Sequence, residues 1–322
     1  MTNSNRLNNE NLADFIPPEK SQNDVDLKEL FNAIWSQKIK IIVITGLFAI
    51  ASVFVAISLP NIYRSEALLA PASPEQQGGL GGLASQFGGI ASMAGLNLGG
   101  GSTIDNTQLA MSVLKSRQFV ENFINKHDIL PELMAVKEWN PNSNSLIFDE
   151  DIFDAATNKW VRDVDLPRLP QPSTQEAHKV FNNIISIHLD KDSGLIRVAV
   201  EHISPTVAKS WVELLIVDIN AEMKKRDVEE AERSRDFLQQ QIAATDVAGI
   251  RTILYQLIEE QMKTIMFAEV RDEYVFKTID PAIAPEEKIK PKRAFICIAI
   301  TLLGGLLATG VVVLRFFWCK HN

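Results

Sequence analysis

Two stretches decide the architecture: IIVITGLFAIASVFVAISLPNIY at Ile41–Tyr63 and AFICIAITLLGGLLATGVVVL at Ala294–Leu314, neither of which holds an Asp, Glu, Lys or Arg. At about 1.5 Å per helical residue, each is long enough for the roughly 30 Å hydrocarbon layer of a bilayer. A core helix of a globular protein rarely runs so far without a charge. A cleaved signal peptide would begin near the N-terminus. Here a polar tail comes first, with Asn3, Asn5, Asn8, Asn9 and Asn11 followed by Pro17-Pro18, and its low apolar content predicts disorder. Asp26–Gln37 then sets Leu27, Leu30, Phe31, Ile34 and Trp35 on one helical face, suited to lie on a membrane surface.

The expected organisation is therefore a tail at 1–25, an amphipathic helix at 26–38, a first span at 39–60, a soluble region, a second span at 294–316 and a short tail at 317–322. Two spans place both termini on one side. Lys38 and Lys40 precede the first span, and Arg315 and Lys320 follow the last residues of the second, which favours cytoplasmic termini. Lys288, Lys290, Lys292 and Arg293 stand on the other flank, but long domains translocate largely regardless of charge. The 2 cysteines, Cys297 and Cys319, fall in or beside the second span, so the soluble region must hold together by burial alone. A net charge of −8, with no basic stripe, argues against a nucleic-acid partner.

Ile62–Ala70 reads as a strand. Residues 72–102 include GGLGGLASQFGGIASMAGLNLGGG, which invites a phosphate-loop reading because glycines let backbone N–H groups approach an anion. No Gly-Lys-Ser/Thr follows, and no Lys or Arg occurs between Ala67 and Lys115, so an apolar, membrane-proximal loop fits better. Asp105–Lys126 has helical spacing of Leu109, Val113, Leu114, Phe119, Val120, Phe123 and Ile124. A region rich in Pro and Trp covers 131–172. Ser173–Asn183 reads as helix, and Ile184–Asp190 and Leu195–His202 read as strands joined by a turn at 191–194; Ile196, Val198 and Val200 alternate with Arg197, Ala199 and Glu201. Together these give an α/β base at 61–203. From Ser204-Pro205, a serine cap with proline at the first helical position, the pattern stays helical to about Val270. Its one interruption, at Thr245–Gly249, predicts a long hairpin over 204–272. The charged run Lys224–Asp236 reads as a solvated face. A return strand, YVFKTID, and a connection stiffened by Pro281, Pro285 and Pro291 fill 273–293. The fold class expected is α+β: two transmembrane helices flanking an α/β base with a long helical hairpin.

Catalytic chemistry has few candidates. Asp149, Glu150, Asp151 and Asp154 cluster among Phe148, Phe153 and Trp160, a composition that acid–base work on glycans would use, but adjacent loop carboxylates are ordinarily just solvated. The 5 histidines, His127, His178, His188, His202 and His321, have no metal-ligand spacing, and no cofactor is expected. In the second span small residues recur four apart, Gly304 with Ala308 and Gly305 with Thr309, a spacing that lets membrane helices approach closely.

The order of these features resembles the Wzz-type chain-length determinants among bacterial polysaccharide co-polymerases. The resemblance rests on VDLKELFNAIW at 25–35, IYRSEALLAPAS at 62–73, EHISPTVAKSWVELLIVDIN at 201–220, EYVFKTIDPA at 273–282 and PAIAPEEKIKPKRAF at 281–295. The family's spaced prolines ending in Pro-Lys, ahead of a glycine-containing span, are matched by Pro281, Pro285, Pro291, Lys292, Gly304 and Gly305; the glycine-rich insert departs from its most familiar members. The resemblance implies an inner-membrane protein with cytoplasmic termini and a periplasmic domain, without catalysis or cofactor. It also implies a ring-like homo-oligomer acting with a membrane polysaccharide polymerase, and in contact with the growing glycan, to set the modal length of lipopolysaccharide O-antigen or a related glycan. The small-residue face would then meet a partner helix or another copy.

Three rivals remain in view. One is a capsule or exopolysaccharide export co-polymerase, for which the short tail and missing Walker motif would require a separate tyrosine kinase. Another is a two-span sensor, for which the tails offer no output domain. The third is a glycan-processing enzyme built on the acidic loop.

Overall fold

The computed structural model describes residues 34–72 and 106–321. The tail at 1–25, most of the Asp26–Gln37 segment and the glycine-rich stretch from 73 to 102 lie outside the described residues. The chain divides into two units, one of residues 59–291 and one holding the apolar segment from each end. The first apolar stretch forms helix α1 (Lys38–Ser58).

The 59–291 unit begins with strand β1 (Tyr63–Pro71). Helices α2 (Asn106–Leu114) and α3 (Arg117–His127) follow, where the periodicity predicts one helix over Asp105–Lys126. The break has a local cause: Ser116 adopts an extended backbone (φ −70°, ψ 149°) and its hydroxyl accepts the Phe119 N–H, capping a new helix start. A short helix α4 (Leu130–Met134) comes next. Two small hairpins then appear that the pattern gives no sign of: β2 (Val136–Asn140) with β3 (Ser145–Phe148), and β4 (Phe153–Asp154) with β5 (Lys159–Trp160).

Helix α5 (Thr174–Ile184) opens on a full capping box, Ser173 and Glu176 each bonding the other's backbone N–H. Strands β6 (Ile185–Leu189) and β7 (Ile196–His202) follow, joined by a turn in which Gly194 takes φ +70°, a conformation glycine adopts without penalty. Helix α6 (Pro205–Ala244) starts where the Ser204 hydroxyl accepts the Val207 N–H, and helix α7 (Ala248–Val270) doubles back from it. The last strand, β8 (Phe276–Asp280), returns to the sheet.

The main sheet has the order β6-β7-β1-β8 and is antiparallel throughout. Its core face is set by register. Ser65, Ala67 and Leu69 of β1 stand opposite Val200, Val198 and Ile196 of β7, and all six are buried. Ala199 alternates to the other face, yet is fully buried there, small and flanked by Glu66 and Ser186 on the neighbouring strands. Against the core face lie Phe123 of α3, Phe181 of α5, and Trp211, Leu215 and Ile219 of α6, each at most 1% exposed. Burial of five such large side chains contributes about 2 kcal/mol apiece before entropy is charged.

The segment after β8 runs beside the start of β1. Ser65 Oγ donates to Ile283 O (2.6 Å), and Ile62 exchanges backbone hydrogen bonds with Lys290 and Ile289 at 3.0 and 2.9 Å. In the other unit, helix α8 (Arg293–His321) packs along α1. The pairing is antiparallel, because Ser52 of α1 meets Cys297 while Phe48 meets Gly304 and Thr45 meets Gly305.

Candidate functional site

Two places are candidates for a functional site, and each lies within one unit. In the helix pair, the small residues divide their work. Gly304 lies against Phe48, where an added Cβ would come within 2.5 Å of that side chain, and Ala308 is 1% exposed. Gly305 and Thr309 line a groove of about 720 Å³ with Thr45, Ala49, Ser52 and Thr301. The groove is apolar in character because Ile41, Val53, Ile298 and Leu302 also line it and three of its hydroxyls are spent internally. Ser52 Oγ donates to Ala49 O, Thr301 Oγ1 to Cys297 O and Thr309 Oγ1 to Gly305 O. Elsewhere the pair exposes Ile42, Leu47, Ile50, Phe54 and Leu303, each by more than half. Both helices are long and apolar enough to cross a bilayer.

The second place is the root of the α6–α7 hairpin. Helix α6, 40 residues long, spans about 60 Å. It is one wall of the core up to Met223; past that point, Ala231 is its buried position. Here three polar side chains, Asn220, Lys224 and Asp227, fall at i, i+4 and i+7 and so share one face. All three grip the chain returning from α7. Asn220 is 3% exposed and makes four bonds. Its Oδ1 accepts the N–H groups of Val275 (2.8 Å) and Phe276 (2.9 Å), and its Nδ2 donates to Phe276 O (3.0 Å) and Ile216 O (3.1 Å). Phe276 pairs with Pro71 at a non-hydrogen-bonded position of the ladder, the Ala72 N–H bonding Val275 O beside it, so the N–H and carbonyl of Phe276 face away from β1 and the Asn220 amide satisfies both.

Lys224 Nζ donates to Arg271 O (3.3 Å) and Glu269 O (3.5 Å), neutralising carbonyls at the C-terminal end of α7. Tyr274 Oη donates to Asp227 Oδ2 at 2.7 Å. Burial pushes the Asp227 carboxyl upward against the lowering effect of that hydroxyl, and burial with the nearby carboxylate pushes the Tyr274 phenol far upward. Periodicity hid this arrangement, since Lys224 and Asp227 belong to a run that reads as solvated. The usable signal was the spacing of polar residues continuing an apolar stripe into Ala231.

Beyond the root, α7 presents Tyr255, Met262, Met266 and Val270 at i, i+7, i+11 and i+15, all exposed, on the side away from the positions that meet α6. Of the proline-segment residues, Pro281, Pro285 and Pro291 lie in the chain that accompanies β1, and the exposed Lys292 accepts the Ile296 N–H on its carbonyl at the start of α8.

The acidic loop does not converge. Asp154 accepts from the Thr157 hydroxyl and the N–H groups of Ala156 and Thr157, and the hydroxyl lowers its carboxyl, the reverse of what a general acid at neutral pH requires. Asp149 caps the Asp151 N–H, and Glu150 and Asp151 are exposed. The histidines are scattered. His127 bonds Asp218, His178 meets Lys115 O, and His202 is held between the Ser204 N–H and Glu132 O, with burial lowering its pKa. Among the described residues, no three His, Cys, Asp or Glu side chains come together for a metal.

These observations define a class: an α+β unit with a rooted helical hairpin, in a chain carrying two bilayer-length helices. The family model described as "Wzz: Chain length determinant protein" matches residues 23–127, the stretch containing α1, β1, α2 and α3. Over that segment the chain is similar to the Wzz chain-length determinants, and its two apolar helices fit an inner-membrane protein. Among solved structures, a full-length bacterial polysaccharide co-polymerase is similar at 12% identity and a TM-score of 0.37, covering 92% of this chain and 99% of its own. A fragment of WzzB, a polysaccharide co-polymerase from Salmonella Typhimurium, is similar at 11% identity and a TM-score of 0.27, covering 71% of this chain and 100% of its own. No curated protein matches.

Proposed function

We infer that the protein regulates the chain length of a surface polysaccharide, O-antigen of lipopolysaccharide or a related glycan, made by a membrane polymerase. The family match over residues 23–127 carries this reading. In it, the protein sits in the bacterial inner membrane with both termini cytoplasmic and the 59–291 unit periplasmic, and acts without catalysing sugar transfer. Copies of the chain associate into a ring, for which the exposed stripe Tyr255, Met262, Met266 and Val270 along one side of α7 offers an apolar surface. The groove beside Gly305 and Thr309 offers a surface to a polymerase helix, since close approach needs small residues.

The test is the surface polysaccharide ladder, run on a gel from cells lacking the protein and from cells with it restored. The expected outcome is a clustered distribution that becomes a smooth decay on loss and returns on restoration. An unchanged ladder refutes the reading and favours the export co-polymerase that works with a separate tyrosine kinase.

A further inference from the structure

The root of the hairpin contains more polar connection than the fold alone calls for. The core is closed by Trp211, Leu215, Ile219 and Met223, and Asn220 secures the first residues of β8. Lys224 and Asp227 lie one and two turns further out, past the core, and what they hold is the junction between α7 and β8, residues 269–274. Helix α6 cannot change direction there, because it is continuous from the core to Ala244. Helix α7 can, because it packs along α6 and reaches the base through residues 271–275, which belong to no helix or strand. From Lys224 to the turn at Thr245 the arm is about 30 Å long, so a small rotation at this junction becomes a displacement of several ångströms along α7.

We propose that Lys224 and Asp227, through the carbonyls of Glu269 and Arg271 and the hydroxyl of Tyr274, are positioning residues for chain-length control: they fix how α7 lies on α6, and with it the outward face that the hairpin presents. The proposal rests on the chain-length reading above. It adds that the modal length is a property of this junction, separable from the stability of the base. Lys224 addresses two carbonyls with one ammonium, and Asp227 takes the Tyr274 hydroxyl in a short bond of 2.7 Å.

The experiment pairs Lys224→Met with Tyr274→Phe, which remove the ammonium and the hydroxyl while keeping the aliphatic stem and the ring. The double variant is expressed in the deletion strain and its ladder compared with wild type. In parallel, the full chain is purified in detergent in a Cys297→Ser/Cys319→Ser background. Spin labels at Ala248→Cys and Ser193→Cys then report the distance between hairpin tip and base.

The proposal expects a ladder that is still clustered but with its peak displaced by at least one repeat, together with a broadened distance distribution. It further expects Lys224→Arg, which keeps a cation for the same carbonyls, to restore the wild-type peak. An unmoved peak from protein present at normal level overturns it, as does collapse to the deletion ladder with loss of the oligomer, which would make the links general supports of the fold. If the deletion strain itself keeps the wild-type ladder, the chain-length reading fails and takes the proposal's functional half with it. The distance measurement still decides whether these residues hold the hairpin.

Discussion

Replacing Asn220 by leucine tests the root where its energetics are plainest. The side chain is 3% exposed, and leucine matches its size while offering no hydrogen bond. Three buried backbone groups lose their partner at once: the N–H of Val275, the N–H of Phe276 and the carbonyl of Phe276. The sheet offers Phe276 no replacement, because its pairing with Pro71 is a non-hydrogen-bonded one and both of its polar groups face away from β1. Stranding a buried polar group costs about 1–3 kcal/mol, so three cost at least about 3 kcal/mol, the low end being appropriate because leucine returns some apolar burial. For a unit of this size that corresponds to a fall in Tm of roughly 6–12 °C. The assay is thermal unfolding of the full chain in detergent followed by circular dichroism, with Asn220→Asp as a companion. The aspartate keeps the two accepted bonds but sets a carboxylate against Phe276 O, and falls between. A leucine variant melting within a degree of wild type would refute the assignment of these bonds as supports of β8.

Burial lowers the pKa of His202, and its ring is held neutral, accepting the Ser204 N–H on Nδ1 and so donating from Nε2 to Glu132 O. Above the ordinary value of 6.5 both folded and unfolded forms are neutral and its contribution is intact; as pH falls below 6.5 the unfolded chain takes up a proton first and stability declines toward the lower folded value. His202→Gln should flatten that part of the Tm-against-pH curve relative to wild type, and identical curves would count against it. In the helix pair, Gly304→Ala forces a Cβ onto Phe48 at 2.5 Å, whereas Gly305→Ala meets Thr45 at a comfortable 3.6 Å. Trapping a disulfide between Ser52→Cys and Cys297 in membranes, with Cys319→Ser, should therefore lose yield in the first variant and keep it in the second; equal yields would contradict the packing.

Much of the fold follows from local rules that the chain obeys. The strand over Ile62–Ala70 is β1 within a residue at each end, and the serine and proline at 204–205 cap α6 as their chemistry requires. The interruption after Ala244 is real because Thr245 and Val247 are extended. What escaped was decided by contacts rather than period. Ser116 splits a continuous apolar pattern by outbidding the helix for the Phe119 N–H. Strands β2 to β5 are too short to show alternation and gain order from stacking, as in Phe153 against Phe148 and Trp160, with ring centroids 5.6 and 4.9 Å apart. In the helix pair, the spacing of Gly304, Gly305, Ala308 and Thr309 is visible in sequence. That Gly304 serves α1 of the same chain, while Gly305 faces a groove, depends on which side of α8 the partner takes.

The root residues were illegible for a deeper reason. A polar residue on a helix counts as solvated when only its own helix is considered, and Asn220, Lys224 and Asp227 find their partners 45 to 56 residues away in sequence. Their helix is built to make that distance useful. Because α6 is both a wall of the core and the rigid arm of the hairpin, its direction is set by residues such as Trp211 and Leu215, and its length carries that direction outward without a hinge. At the base end, the adjustable geometry is thereby pushed onto the returning chain at 271–275, where Arg271 and Tyr274 are met by Lys224 and Asp227. On the chain-length reading proposed above, the hairpin has to hold one shape from copy to copy, and the polar links sit where α7 rejoins the base and would otherwise be free to vary.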